Sequence, residues 1–191
     1  MEPFKLQFNR DAVVALAGHV RRAWPEFPES AFIRQATSGL DELELKARVQ
    51  FIAQALARSL PEDWPQAIEI LQGALGDEVC PDRAGSGKTD ASGVRGFLIM
   101  VLGEVVVIRG LASPETSLLL LAEMTKRFTA EFAVRPFLSQ HLEVTSRVFD
   151  RWVQHPSAHV RRLVSEGSRP RLPWSFRLEA FASDPSLASS W

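Results

Sequence analysis

LDELELKARVQFIAQALARSLPEDWPQAIEIL, residues 40–71, decides the fold class. Its apolar residues Leu45, Val49, Ile52, Ala53, Leu56 and Leu60 recur at steps of three and four, the spacing of one helix face. Asp41 with Glu44 three residues on reads as an acidic capping box, and Pro61 ends the helix. Asp63 then caps a second helix, Trp64–Leu75. Two helices joined by a three-residue turn form a unit that cannot bury its apolar face alone.

The same grammar runs outward in both directions. Upstream, Asp11–Ala23 carries a helical stripe closed by Trp24-Pro25, and a short helix follows over Glu29–Gln35. Downstream, the spacing predicts helices over Val94–Ile108, Pro114–Phe128, Ala130–Leu138, Leu142–Val153 and Ala158–Ser165, with another starting near Asp184-Pro185. Ser113 suits a cap before Pro114, and His141 and His155 mark helix starts. Alternation with period two is almost absent; Val105–Ile108 is its one strand-like run. The class is all-α, with helices in pairs, which fits a bundle or an α-solenoid. Residues 76–93, rich in Gly, Pro, Asp and Ser, read as a flexible loop within one helical domain spanning 1–191.

Composition narrows the function classes. The chain has 191 residues, 46% hydrophobic and 24% charged, with a net charge of −1, an ordinary globular profile. No apolar run approaches the ~18 residues that span a bilayer. The start, MEPFKLQFNRD, lacks a signal-peptide layout, so a cytoplasmic location is expected. One cysteine, Cys80, excludes an internal disulfide framework and a Cys-rich metal site. Charge is unevenly spread: residues 1–93 hold ten Lys/Arg against fourteen Asp/Glu, and residues 94–191 hold twelve against nine. A late basic patch, and not overall charge, is the electrostatic signal.

Three motifs carry less than they promise. AGSGKTD (84–90) lacks the glycine that a phosphate loop needs at position 82, where Asp82 stands, and no strand precedes it. His19, His141, His155 and His159 form no ligand set, so no metal is expected. No serine sits on a Gly-x-Ser-x-Gly turn. Trp152, on the Leu142–Val153 stripe, reads as core. Trp174 instead closes a proline-rich turn beside arginines, where an indole could meet a sugar or base edge.

The late cluster is the chemical candidate. Arg162, Glu166 and Arg169 fall at i, i+4 and i+7, and Pro170 and Pro173 stiffen the chain that leaves them. A solvated i,i+4 ion pair would be worth only ~0.3–0.5 kcal/mol, and Arg before Glu is the weaker order. Glu131 and Arg135 repeat the spacing at the start of an earlier helix.

EFAVRPF (131–137) and VRRLVSEGSRPRLPW (160–174) resemble the signature segments of the AlkC family of bacterial DNA alkylation-repair glycosylases, and residues 40–71 resemble its N-terminal helices. HPSAHVRRL (155–163) is similar to the second helix of a HEAT repeat. The resemblance implies an α-solenoid of HEAT-like helix pairs that binds duplex DNA containing alkylated bases, on a concave face formed after residue 94. It implies cleavage of the N-glycosidic bond of cationic N-methylated bases such as 3-methyladenine, without a cofactor or metal and as a monomer. Glu131 and Glu166 would be the catalytic acidic residues, and Arg135, Arg162, Arg169, Arg171 and Trp174 would face the DNA. Such a base already carries positive charge and leaves readily. The site then needs negative charge where the sugar becomes oxocarbenium-like, and arginines for the flanking phosphates. Family members continue through further repeats, so the C-terminal repeats read as truncated. The rival reading is a non-catalytic HEAT-type module binding DNA or protein, in which the cluster only grips phosphate.

Overall fold

Ten α-helices make up most of the described residues, 3–79, 88–188 and 191 of the computed structural model, with no strand among them. They are α1 (Arg10–Ala23), α2 (Glu29–Thr37), α3 (Leu45–Ser59), α4 (Trp64–Gly73), α5 (Leu98–Gly110), α6 (Pro114–Thr125), α7 (Glu131–Gln140), α8 (Leu142–Trp152), α9 (Ala158–Gly167) and α10 (Glu179–Ser183). Helices α2, α3, α5, α7 and α9 touch in succession to form one layer, and α1, α4, α6 and α8 form the other. The consecutive pairs α1/α2, α5/α6 and α7/α8 pack against each other. The fold is an α-solenoid of HEAT-like helix pairs.

The layering follows from how much of each helix is apolar. On α8, Thr145, Val148, Phe149 and Trp152 are buried while the opposite face is charged, as expected of a helix with one covered side. α5 is apolar nearly all round, and it lies between α3, α6 and α7. Its buried Ile99, Leu102, Val105 and Val106 join one continuous core that runs from Phe8 to Phe181. Fully burying side chains of this size stabilises by roughly 1.5–3 kcal/mol each. No helix among the described residues is long and apolar enough to cross a membrane.

Local signals decide the ends, with instructive exceptions. Asp63 accepts from the Gln66 N–H at 2.9 Å, the cap expected from the sequence. Asp41 does not cap α3, which begins four residues later. The cause is Arg48, only 2% exposed. Its guanidinium donates to the carbonyls of Leu43 at 2.8 Å and Asp41 at 2.9 Å, winding residues 40–42 into a 3-10 turn around itself. Ser113 precedes Pro114 but makes no side-chain cap. α5 starts at Leu98 and not Val94, because Val94 pairs with the end of α4 through its N–H to Ala74 O at 2.9 Å.

That pairing also changes the reading of the 76–93 loop. Its flanks are pinned to the body: the Val79 N–H donates to Lys126 O at 2.9 Å, and Arg22 holds the carbonyls of Ala91 and Ser92 at 2.8 Å each. Gly93 has φ +152°, and a Cβ there would lie 2.4 Å from the Gly76 nitrogen, so only glycine fits. Residues 80–87, with Cys80 and most of the AGSGKTD motif, lie outside the described residues. Thr89 of that motif donates its hydroxyl to Arg95 O at 2.9 Å.

Candidate functional site

The start of α7 and the end of α9 meet at one buried guanidinium. Arg135 is 0% exposed. It donates to Gly167 O at 2.9 Å, Arg169 O at 2.6 Å, Pro170 O at 3.4 Å and Phe176 O at 2.5 Å. Its Cζ lies over the Phe176 ring, 5.5 Å from the ring centre. Burial lowers the Arg135 pKa from its usual value, and Glu131, one turn earlier on α7, acts in the opposite direction. The fork geometry of arginine allows one side chain to gather carbonyls from both ends of a turn, which lysine could not do.

This corrects the reading of Arg135 as a DNA-facing residue. All its bonded partners are backbone carbonyls, and no part of it reaches solvent. It organises the Glu166–Phe176 segment from beneath. The approach of the two helices is close: a Cβ on Gly167 would lie 2.6 Å from a Val134 methyl. Gly167 of the signature segment therefore has a packing reason.

The remaining expected residues lie on α7, on α9 and in the segment that follows α9. Glu166 pairs with Arg169 at 3.1 Å, with side chains 20% and 57% exposed. Glu131 is half-buried at the first turn of α7. Arg162, Arg169 and Arg171 are exposed, and Arg161 is turned to the carbonyls of His155 and Pro156 at 2.6 and 2.9 Å. Trp174 is 59% exposed and has φ +65°, the one non-glycine residue with positive φ among those described. Such a conformation costs free energy and persists where the surroundings enforce it. The carbonyls of Pro170 and Phe176, both held by Arg135, bracket this turn. Phe4 meets Trp174 edge-on, with centroids 6.5 Å apart.

A cavity of about 320 Å³ opens beside Trp174, walled by α3, α5 and α7 and by residues 174–176. Glu104 of α5 and Gln50 of α3 both line it. Burial pushes the Glu104 carboxyl above its usual pKa, and Gln50 only partly offsets this. The sequence carries one sign of Glu104: it is the sole charged residue between Leu98 and Ile108, in the middle of an apolar helix. Among the described residues no group of His, Cys, Asp and Glu could hold a metal ion. His159 instead bonds the Val79 carbonyl at 3.0 Å, and His155 accepts from the Ser157 N–H at 3.0 Å.

No family model matches the sequence. The chain is 34% identical over 187 residues to the uncharacterized protein YhaZ of Bacillus subtilis (strain 168), covering 97% of this chain and 48% of that protein. Its fold is similar to that of the Pseudomonas fluorescens alkylpurine DNA glycosylase AlkC bound to DNA containing an abasic site analog, with a TM-score of 0.85 and 32% identity. That match covers 100% of this chain and 49% of the solved chain. The chain thus spans about half the length of each relative.

Proposed function

We propose that the chain, whose fold and sequence are similar to those of the alkylpurine DNA glycosylase AlkC over about half of that protein's length, is a member of the same family and acts in DNA alkylation repair as a glycosylase-like protein. Its substrate is duplex DNA carrying cationic N-methylated bases such as 3-methyladenine. The observation that carries this reading is the Arg135 anchor. One buried side chain joins the turn that bears Glu131 to the segment that bears Glu166, Arg169 and Trp174.

The chemistry follows from the charges. When the C1′–N bond breaks, its electron pair goes to the methylated base, which leaves uncharged. The sugar becomes oxocarbenium-like, and a carboxylate held nearby stabilises that cation. Water then adds to C1′ and loses a proton. Glu131 and Glu166 supply the negative charge. Arg162, Arg169 and Arg171, all exposed, hold flanking phosphates and fix the register. Trp174 lies against the sugar or base edge.

Release of methylated base from alkylated duplex DNA tests the reading, with Glu166→Gln alongside. The wild type should release base. The variant should lose release while binding DNA as well or slightly better, since a carboxylate facing phosphates is gone. A second reading is favoured by the Glu166–Arg169 pair at 3.1 Å: a non-catalytic module whose glutamate only orients an arginine. Under that reading wild type and variant both bind DNA and neither releases base.

A further inference from the structure

The Trp174 turn is held on two sides, by Arg135 and by the ring of Phe4. We propose that Phe4 is a positioning residue, whose ring braces the Trp174 indole for its contact with the damaged nucleotide. The inference rests on the repair reading above and adds to it a residue remote in sequence from both signature segments.

Trp174 needs such a brace. Its side chain is largely exposed, so packing alone does not fix it, and its backbone sits at positive φ. The Arg135 bonds reach the carbonyls of Pro170 and Phe176 and stop short of the indole. Among the described residues, the one ring paired with the indole is that of Phe4. Their centroids are 6.5 Å apart and their planes 66° from parallel, the edge arrangement that the ring quadrupoles favour.

Phe4 is itself fixed more firmly than a half-exposed residue usually is. Its centroid lies 5.6 Å from that of Phe97, which stands 5.0 Å from Phe128 and 6.1 Å from Phe8. A row of rings thus runs from Phe128 through Phe97 and Phe4 to Trp174. Phe8 is fully buried and closes the 3-10 turn Phe4–Gln7. Buried Arg48 donates to the carbonyls of Lys5 at 3.4 Å and Phe8 at 3.3 Å. Lys5 also pairs with Glu44, just before α3, at 2.6 Å. The guanidinium that winds residues 40–42 therefore also docks the turn that carries Phe4.

The arrangement separates two tasks. Phe4 has no charge and gives a phosphate no grip, whereas Arg162, Arg169 and Arg171 are exposed for that purpose. Losing the brace should therefore cost rate and not affinity. An aromatic pair favours its geometry by about two- to tenfold, and a displacement of ~1 Å at a reacting centre can cost about a hundredfold in rate. The smaller effect is expected here, because an unbraced indole still visits the same rotamer.

The test is a double-mutant cycle of Phe4→Ala and Trp174→Ala, read as single-turnover release of methylated base from alkylated duplex DNA, with DNA affinity measured alongside. Phe4→Ala should slow release by about two- to tenfold and leave the Kd for duplex DNA unchanged. In the Trp174→Ala background the same substitution should have no further effect, since Phe4 acts through the indole. Phe4→Tyr keeps the ring and should release base like the wild type. Fluorine NMR of protein labelled with 5-fluorotryptophan reads the indole directly. The Trp174 line, assigned by Trp174→Phe, should narrow in Phe4→Ala as the ring gains motion, while the other tryptophan lines stay in place. Circular dichroism checks that each variant is folded. Release unchanged in Phe4→Ala, an equal loss with and without Trp174, or an equal loss in Phe4→Tyr overturns the proposal. So does DNA affinity that falls in step with release, which would make Phe4 a DNA contact, and so does an unchanged Trp174 line. If the wild type itself releases no base, the repair reading fails, and the Trp174 line alone decides whether Phe4 braces the indole.

Discussion

Replacing Arg135 by methionine removes the one donor set that joins α7 to the 167–176 segment. Three of its bonds are short, to Gly167 O at 2.9 Å, Arg169 O at 2.6 Å and Phe176 O at 2.5 Å. Hydrogen bonds from a charged group contribute ~1.5–3 kcal/mol each, so simple addition would give ~4.5–9 kcal/mol. Two corrections lower that sum. Residues 169–171 and 176 are exposed, so their carbonyls can turn to water. Methionine also keeps its packing on Phe176 and removes the cost of burying a cation. The net loss expected is ~3–4 kcal/mol, in line with breaking other buried charged networks. Arg135→Lys keeps the charge but not the fork, and should lose about 2 kcal/mol. Urea unfolding followed by circular dichroism gives both numbers. Against a total stability of ~5–15 kcal/mol the variants remain folded, so Trp174 fluorescence can report the local turn. A loss below about 1 kcal/mol for methionine, with an unchanged Trp174 signal, would refute the role of Arg135 as the anchor of this segment.

Gly110→Ala should cost about 2–4 kcal/mol, since its Cβ would lie 2.3 Å from Ser117 Oγ and 2.8 Å from the Trp64 ring, breaking the Trp64–Ser117 hydrogen bond; a thermal melt with no shift contradicts this packing. Glu104→Gln tests the raised carboxyl pKa. The fold holds that proton more tightly than the unfolded chain, so the stability it contributes is present in acid and is lost as pH rises through the folded value. The glutamine variant should therefore gain on the wild type between pH 4 and pH 8, seen as a growing difference in urea midpoint; a constant difference would contradict burial as the cause. Arg162→Ala with Arg171→Ala should weaken binding to any duplex and flatten the salt dependence, by about 0.9 in log–log slope for each phosphate left without its arginine. An unchanged slope would place both arginines off the DNA.

Much of this is legible in the sequence, and the limits are physical. Helix periodicity is a local property, set by residues three and four apart, so α3, α4 and α8 could be read directly from their stripes. Glu131, Glu166, Arg162, Arg169, Arg171 and Trp174 lie in two short segments that the resemblance singled out, and the fold brings those segments together at Arg135. Boundaries were read less well wherever a distant partner competed with a local cap. Arg48 drew residues 40–42 out of α3, and Val94 was taken by Ala74 before α5 could begin.

The all-α class and the basic late segment are written in spacing and composition, but α3 and α4, adjacent in sequence, pack in different layers. Only the tertiary structure decided that Arg135 faces inward, that Trp174 is held at positive φ, and that Glu104 shares a cavity with Gln50 and Trp174. The partners of Arg135 lie 32 to 41 residues away along the chain. An arginine at that spacing looks the same in sequence whether it meets a phosphate or four carbonyls. What separates the two outcomes is the path of the backbone, which turns those carbonyls towards the Arg135 guanidinium.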